Sequence, residues 1–207
     1  MILAAGESRR MGTQKLLLPF GETTIVGAVA GTAASSRAGR TLVVLGADHE
    51  AIRRELEPLA GSGPADGPRA GKKPGASLSF AINTDYRLGM LTSIQAGFRA
   101  LPPDAEAALI MLGDQPFLSA RVVDAVVAAY ETGGRGIVIP TFKGRRGHPV
   151  LIDLEYRNEI LRLDPSAGLR GLMRAHPGDI LDVDVADPNI LRDLDTPEDY
   201  AGLPKPS

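Results

Sequence analysis

A three-layer αβα sandwich around a mostly parallel central sheet is the fold class that the sequence predicts, and three observations carry the prediction. Short β-rich apolar runs alternate along the chain with stretches of helical period. Two of the runs, "TLVVLG" and "AALIMLG", are continuously apolar rather than alternating, as in strands covered by helices on both faces. The chain has 207 residues, 43% of them hydrophobic, which suits a single domain, residues 1–207, with a sizeable core.

Taken in order, Met1 to Ala4 is the first strand. It is unusually short, as expected of a chain whose natural start lies a few residues further upstream. Ile25 to Ser35 has helical period, Thr41 to Leu45 reads as a strand, and a helix is expected to begin near Thr92 and Ser93. Ala107 to Leu112 is a strand, Val122 to Tyr130 a helix and Gly136 to Pro140 a strand. Residues 61–77 are crowded with Gly and Pro and lack apolar period, so a flexible surface loop is expected there. In open sheets of this class, ligands gather at the carboxyl ends of the strands. The loops to inspect are therefore "AAGESRRMG", "GADHE" and "GDQPFL".

Composition narrows the function. With no cysteine, disulfides, thiolate nucleophiles and thiolate metal sites are excluded. A net charge of −2 with both signs interspersed gives no support for nucleic-acid or membrane-surface binding. The 4% aromatic content, with no Trp, is poor material for stacking many bases. No apolar run reaches the roughly 20 residues that span a bilayer, and no signal-peptide pattern opens the chain, so a cytoplasmic location is expected.

The loop after the first strand is cationic and poor in bulk. Gly6 and Gly12 allow close backbone approach, amides at the start of a following helix favour an anion, and Arg9, Arg10 and Lys15 add charge. Together they suit a polyphosphate. A tight turn with solvated arginines is the plainer reading. Thr13 and Gln14 follow Gly12, so this is not a Walker loop, and the G-x-G-x-x-G pattern is absent.

The whole stretch "LAAGESRRMGTQKLLLPFG" resembles the signature of nucleotidyltransferases with the GT-A-like, nucleotide-diphosphosugar transferase fold. Farther on, "GDQPFL", "GRRGHPVLI" and "DLDTPEDY" are similar, in order and spacing, to the molybdenum cofactor cytidylyltransferase branch of the MobA-like family. The resemblance implies a loop that wraps a triphosphate, with Arg10 and Lys15 neutralising it and Leu3, Ala4, Ala5 and Gly6 reaching base and ribose. Ala5 stands where the guanylyltransferase branch tends to have glycine, which favours CTP by a modest steric margin.

Asp114 should emerge at the carboxyl end of a buried strand, with Gly113 leaving room for a ligand and contributing to the nucleotide site. A carboxylate there suits Mg²⁺, which needs few protein ligands; a plain helix N-cap is the alternative. The resemblance makes Asp114 the leading metal ligand and carries a second metal role to Asp195, with Asp193 as the alternative. Thr196, Pro197 and Asp199 also spell a helix start, with which a metal role for Asp195 is compatible.

The resemblance places "YRLGMLTSIQAGF" beside the nucleoside, with Ser93 as a base or ribose contact, and Asn83 and Gln95 as weaker candidates. A helix N-cap at Thr92 or Ser93 is as good a reading of those residues alone. "FKGRRGHPVLI" reads as a Gly-rich hairpin carrying Lys143, Arg145, Arg146 and His148; a solvated turn is the alternative, and the resemblance makes Arg145, Arg146 and His148 acceptor-binding. His49 and His176 receive no role.

The implied reaction is attack by the terminal phosphate of molybdopterin, carrying molybdenum, on the α-phosphorus of CTP. The resemblance implies Arg10, Lys15 and Asp114 as the catalytic residues and Mg²⁺ as the cofactor. The resemblance also implies a molybdenum hydroxylase, or its maturation factor, as partner. Open alternatives are a guanylyltransferase, a sugar-phosphate or other metabolite nucleotidyltransferase of the same fold, a cofactor-binding or delivery protein, and an oxidoreductase relative.

Overall fold

The structure is a computed structural model that describes residues 1–60 and 78–202. The loop expected at 61–77 lies outside the described residues.

In chain order the elements are β1 (Ile2–Ala4), β2 (Pro19–Phe20), β3 (Thr23–Thr24), α1 (Ile25–Ser35), β4 (Thr41–Leu45), α2 (His49–Leu56), β5 (Leu78–Ile82) and α3 (Met90–Ala100). There follow β6 (Ala107–Leu112), α4 (Ala120–Gly133), β7 (Ile137–Phe142), β8 (Arg145–Arg146), β9 (Val150–Asp153), α5 (Arg157–Ile160), α6 (Arg170–Ala175), β10 (Ile180–Asp184) and α7 (Pro197–Ala201). One eight-stranded sheet runs β10-β7-β9-β6-β1-β4-β5, with β8 paired to β7. β1 lies parallel to β4 and β6, β4 to β5, and β7 to β10; β9 enters antiparallel between β6 and β7. The sheet is thus mixed and mostly parallel, with helices on both faces.

The strand pleat divides the core. Ile2, Ala4, Val43, Leu45, Leu109 and Met111 point to the face covered by α1, α2 and α4. Their neighbours Leu3, Leu42, Val44, Ala108, Ile110 and Leu112 point to the face covered by α3, α5 and α6. Both faces of β1, β4 and β6 are therefore buried, which is why these runs are apolar throughout. Among the described residues no helix is long and apolar enough to cross a membrane.

Two local expectations change and one alternative is excluded. The opening loop leads not into an α-helix but into one 3-10 turn, Lys15–Leu17. Pro19 ends that turn by holding Leu18 extended, at ψ 145°. Helix α3 starts at Met90 rather than near Thr92, because Gly89 adopts φ 113° and delivers the chain into the helix two residues early. Thr92 and Ser93 thus lie within its first turn. Asp114 caps no helix, since α4 starts six residues later with Ser119 before it. The helix start at Thr196 does form: Thr196 and Asp199 make a reciprocal capping box, with Pro197 in the first turn.

Candidate functional site

At the carboxyl ends of β1 and β6 a cleft of about 400 Å³ opens. The opening loop supplies one wall with Gly6, Glu7, Ser8, Arg9 and Arg10. Leu3, Lys15, Asp114 and Asp195 lie deeper, and Tyr86 and Arg87 form the far side.

The opening loop keeps its shape through its own polar side chains. Ser8 donates its hydroxyl to Gln14 Oε1 at 2.9 Å and accepts from the Lys15 amide at 3.1 Å. Gln14 Nε2 then donates to the Gly6 carbonyl at 3.2 Å and to Asp48 at 3.0 Å, tying the loop to the segment after β4. These bonds aim Lys15 inward, where its side chain is only 13% exposed.

Lys15 is the centre of the site. Its Nζ donates to Asp114 Oδ2 at 2.6 Å and to Asp195 Oδ1 at 2.7 Å. Burial by itself lowers the pKa of this ammonium, but Asp114 and then Asp195 more than reverse the effect, so it stays charged above the ordinary lysine value. Arg10 adds a bond to Asp195 Oδ2 at 3.1 Å. The Lys15 hydrogen bond, reinforced by Arg10, holds the Asp195 carboxyl below its usual range.

The two aspartates arrive from segments 81 positions apart in the chain. Asp114 sits in the turn that leaves β6, and its carbonyl accepts from Leu194 N at 3.0 Å, which brings Asp195 alongside. The capping box fixes Asp195 from the other side: its amide donates to Asp199 Oδ2 at 3.1 Å. Asp193 is not part of the cleft lining and accepts from Gln115 Nε2 at 2.7 Å; burial pushes its carboxyl pKa up.

The remaining expected residues divide. Leu3, Gly6, Arg10, Lys15, Asp114 and Asp195 line the cleft together. Ala4 and Ala5 are buried behind it. The space beside Gly113 is taken by β1, since a Cβ there would lie 2.8 Å from the Leu3 carbonyl oxygen. The missing side chain therefore serves strand approach rather than ligand room. Asn83 and Ser93 are buried off the cleft wall, and Asn83 Nδ2 donates to Thr92 Oγ1 and Ser93 Oγ, both at 2.9 Å. Gln95 is buried too and donates to the carbonyls of Ile160 and Leu163 at 3.0 Å, a tether between elements rather than a nucleoside contact.

The predicted hairpin forms between β7 and β8, with Lys143 and Gly144 at its turn. It presents exposed Arg145, whereas Arg146 is held by a two-pronged pair to Asp182 at 2.7 and 2.8 Å. His148 precedes a cis proline, and its amide donates to the Ile190 carbonyl at 3.0 Å. Burial lowers the His148 pKa, partly offset by the Asp114 charge, so its ring holds its proton weakly. His49 opens α2, and His176 packs against Tyr156 with the rings tilted by 56° and pairs with Glu159 at 2.8 Å.

Glu7, Tyr86 and Arg87 were not singled out by the sequence. Glu7 stands inside the opening motif, and the "YR" before Leu88 was the available signal for the other two.

Chemically, the cleft offers four cations, Arg9, Arg10, Lys15 and Arg87, beside carboxylates that converge on one ammonium. The model of the MobA-like NTP transferase domain matches residues 1–180. Among curated relatives, the purine catabolism protein PucB of Bacillus subtilis is 31% identical over 97% of this chain and 92% of its own. Nicotine blue oxidoreductase of Paenarthrobacter nicotinovorans is 28% identical, over 96% and 92%. Molybdenum cofactor cytidylyltransferase of Escherichia coli K12 is 26% identical, over 97% and 92%. The crystal structure of an Rv0371c homolog from Mycobacterium sp. strain JC1 superposes with a TM-score of 0.73 at 26% identity, covering 97% of this chain and 91% of that one. Rv0371c of Mycobacterium tuberculosis in complex with manganese gives 0.66 at 23%, covering 97% and 93%.

Proposed function

Because the chain belongs to the MobA-like NTP transferase family, we propose that it transfers CMP from CTP to the terminal phosphate of molybdopterin, releasing pyrophosphate. The observation that carries this reading is the convergence of Asp114 and Asp195 on the Lys15 ammonium at the base of a cationic cleft. The similarity to a molybdenum cofactor cytidylyltransferase over 97% of the chain supports the choice of acceptor, and Ala5 supports the choice of base.

The two carboxylates fit a divalent cation. Their oxygens already share one cation, the ammonium, at 2.6 and 2.7 Å. Hard oxygen donors of this kind suit Mg²⁺ or Mn²⁺, and among the described residues no group of three or more His, Cys, Asp or Glu forms a fuller cage. Asp114 and Asp195 would hold the ion, which when bound supplies positive charge against the phosphate oxygens.

In the reaction an anionic oxygen of the acceptor phosphate forms a bond to the α-phosphorus of CTP. The bond from that phosphorus to the bridging oxygen breaks, and its electron pair leaves with pyrophosphate. No side chain has to remove a proton, because the acceptor phosphate is already ionised at neutral pH. The protein's part is orientation and charge. Lys15 and Arg10 neutralise the leaving pyrophosphate, the opening loop keeps Lys15 aimed, and Arg145 and His148 receive the acceptor, with Arg146 joining them only on leaving its pair with Asp182. A molybdenum hydroxylase or its maturation factor would take the product.

Pyrophosphate release with Mg²⁺ and molybdopterin, compared across CTP, GTP, ATP and UTP, tests the reading. Release with CTP supports it. Release with GTP alone would assign the guanylyltransferase reaction, and no release from folded protein with any of the four would overturn transfer to this acceptor. The similarity to an oxidoreductase favours a redox function as the second reading in that event.

A further inference from the structure

Resting on the reading that the cleft takes a nucleoside triphosphate, we infer that Arg87 is a triphosphate-binding residue and that Glu7 is the anion that holds its place in the nucleotide-free protein. Glu7 projects from the opening loop and accepts one guanidinium at each carboxylate oxygen, Arg9 Nε on Oε2 at 2.5 Å and Arg87 Nε on Oε1 at 2.7 Å. Arg9 comes from the same loop. Arg87 comes from the 3-10 turn Tyr86–Leu88 on the opposite wall, so the Glu7–Arg87 pair bridges the cleft.

The exposures show what the bridge is for. Arg9 and Arg87 are 77% and 68% exposed, while the carboxylate between them is only 21% exposed. Exposed pairs of long side chains contribute little to stability. What this arrangement achieves is to aim two guanidiniums at one point within a cleft that also holds Arg10 and Lys15. A phosphate offers a guanidinium the same paired oxygens as a carboxylate, with more charge. The triphosphate therefore displaces Glu7, takes over Arg87 and Arg9, and leaves the two walls joined through the substrate.

The test measures binding of the tightest among CTP, GTP, ATP and UTP, together with its monophosphate, with Mg²⁺ present, by calorimetry or ligand-observed NMR. Arg87→Ala is expected to weaken the triphosphate about tenfold, the equivalent of one charge-assisted bond, and to leave the monophosphate unchanged. Glu7→Gln is expected to tighten the triphosphate severalfold by removing its competitor. Triphosphate affinity unchanged in Arg87→Ala, or equal losses for triphosphate and monophosphate, overturns the inference. Wild-type protein that binds none of the four triphosphates overturns instead the nucleotide reading on which it rests.

Discussion

In the proposed metal site, Lys15 stands where the divalent cation would sit, so replacing it should move metal and nucleotide affinity in opposite directions. In Lys15→Met the stem keeps its bulk and the ammonium is lost, leaving Asp114 Oδ2 and Asp195 Oδ1 converging on an open point. In the native protein an incoming cation must first break two charge-assisted bonds of 2.6 and 2.7 Å. Such bonds contribute about 1.5–3 kcal/mol each when shielded. Asp195 is 38% exposed, so water screens its share. The sum left to overcome is about 1.5–3 kcal/mol, or roughly 10- to 150-fold in affinity. Titration of Mn²⁺ by electron paramagnetic resonance, without nucleotide, should therefore show tighter binding in Lys15→Met by about that factor. Triphosphate affinity in the presence of Mn²⁺ should fall by a similar factor, since the cation meant for the phosphates is gone. Unchanged or weaker Mn²⁺ binding in the variant would refute the claim that the ammonium holds the metal's place.

Other consequences follow from the same geometry. Asp114→Ala should reduce transfer at saturating CTP by at least about 100-fold, the scale of losing a preorganised charge, with the fold retained by circular dichroism; unchanged turnover would remove Asp114 from the site. Gly46→Ala should destabilise the protein by about 1–3 kcal/mol in urea denaturation, because the added Cβ would lie 2.6 Å from the Ala5 carbonyl and 2.9 Å from Tyr86 Cβ. Its nucleotide affinity should fall as well, because both neighbours adjoin the cleft. The folded-state pKa of His148 lies below the ordinary 6.5, chiefly through burial. The unfolded chain therefore binds the proton more readily, and this contribution to stability is full above pH 6.5 and lost as the pH falls toward the folded value. Urea midpoints at about pH 7.5 and about pH 5.5 should differ less in His148→Asn than in the wild type; equal differences would show that this ring is not the source.

What the sequence disclosed depended on whether the determining force was local. β4, β6 and α1 have the predicted bounds because a strand buried on both faces, or a helix entered through Thr24, announces itself in consecutive residues. β5 and β10 lie at the two edges of the sheet with half-covered side chains, and β9 has four residues, so their apolar signal is weak. The antiparallel entry of β9 follows from tertiary pairing and has no local signature. At the site, the resemblance of their motifs pointed to Lys15, Asp114 and Asp195, where local pattern alone allowed a turn or a helix start, and the fold brings these three side chains together. Thr92 and Ser93 suggested a helix cap, but Gly89 makes the entry, and their hydroxyls serve Asn83. Arg87 was not legible because its partner, Glu7, lies 80 residues away and the fold alone brings them together.

Cytidylyl transfer can be followed directly by ³¹P NMR of the purified protein with CTP, Mg²⁺ and molybdopterin. Transfer as proposed moves the terminal phosphate of the acceptor and the α-phosphate of CTP together into a new diphosphate linkage as free pyrophosphate appears in equal amount. CTP that stays intact, or that loses its terminal phosphate without forming that linkage, would contradict it.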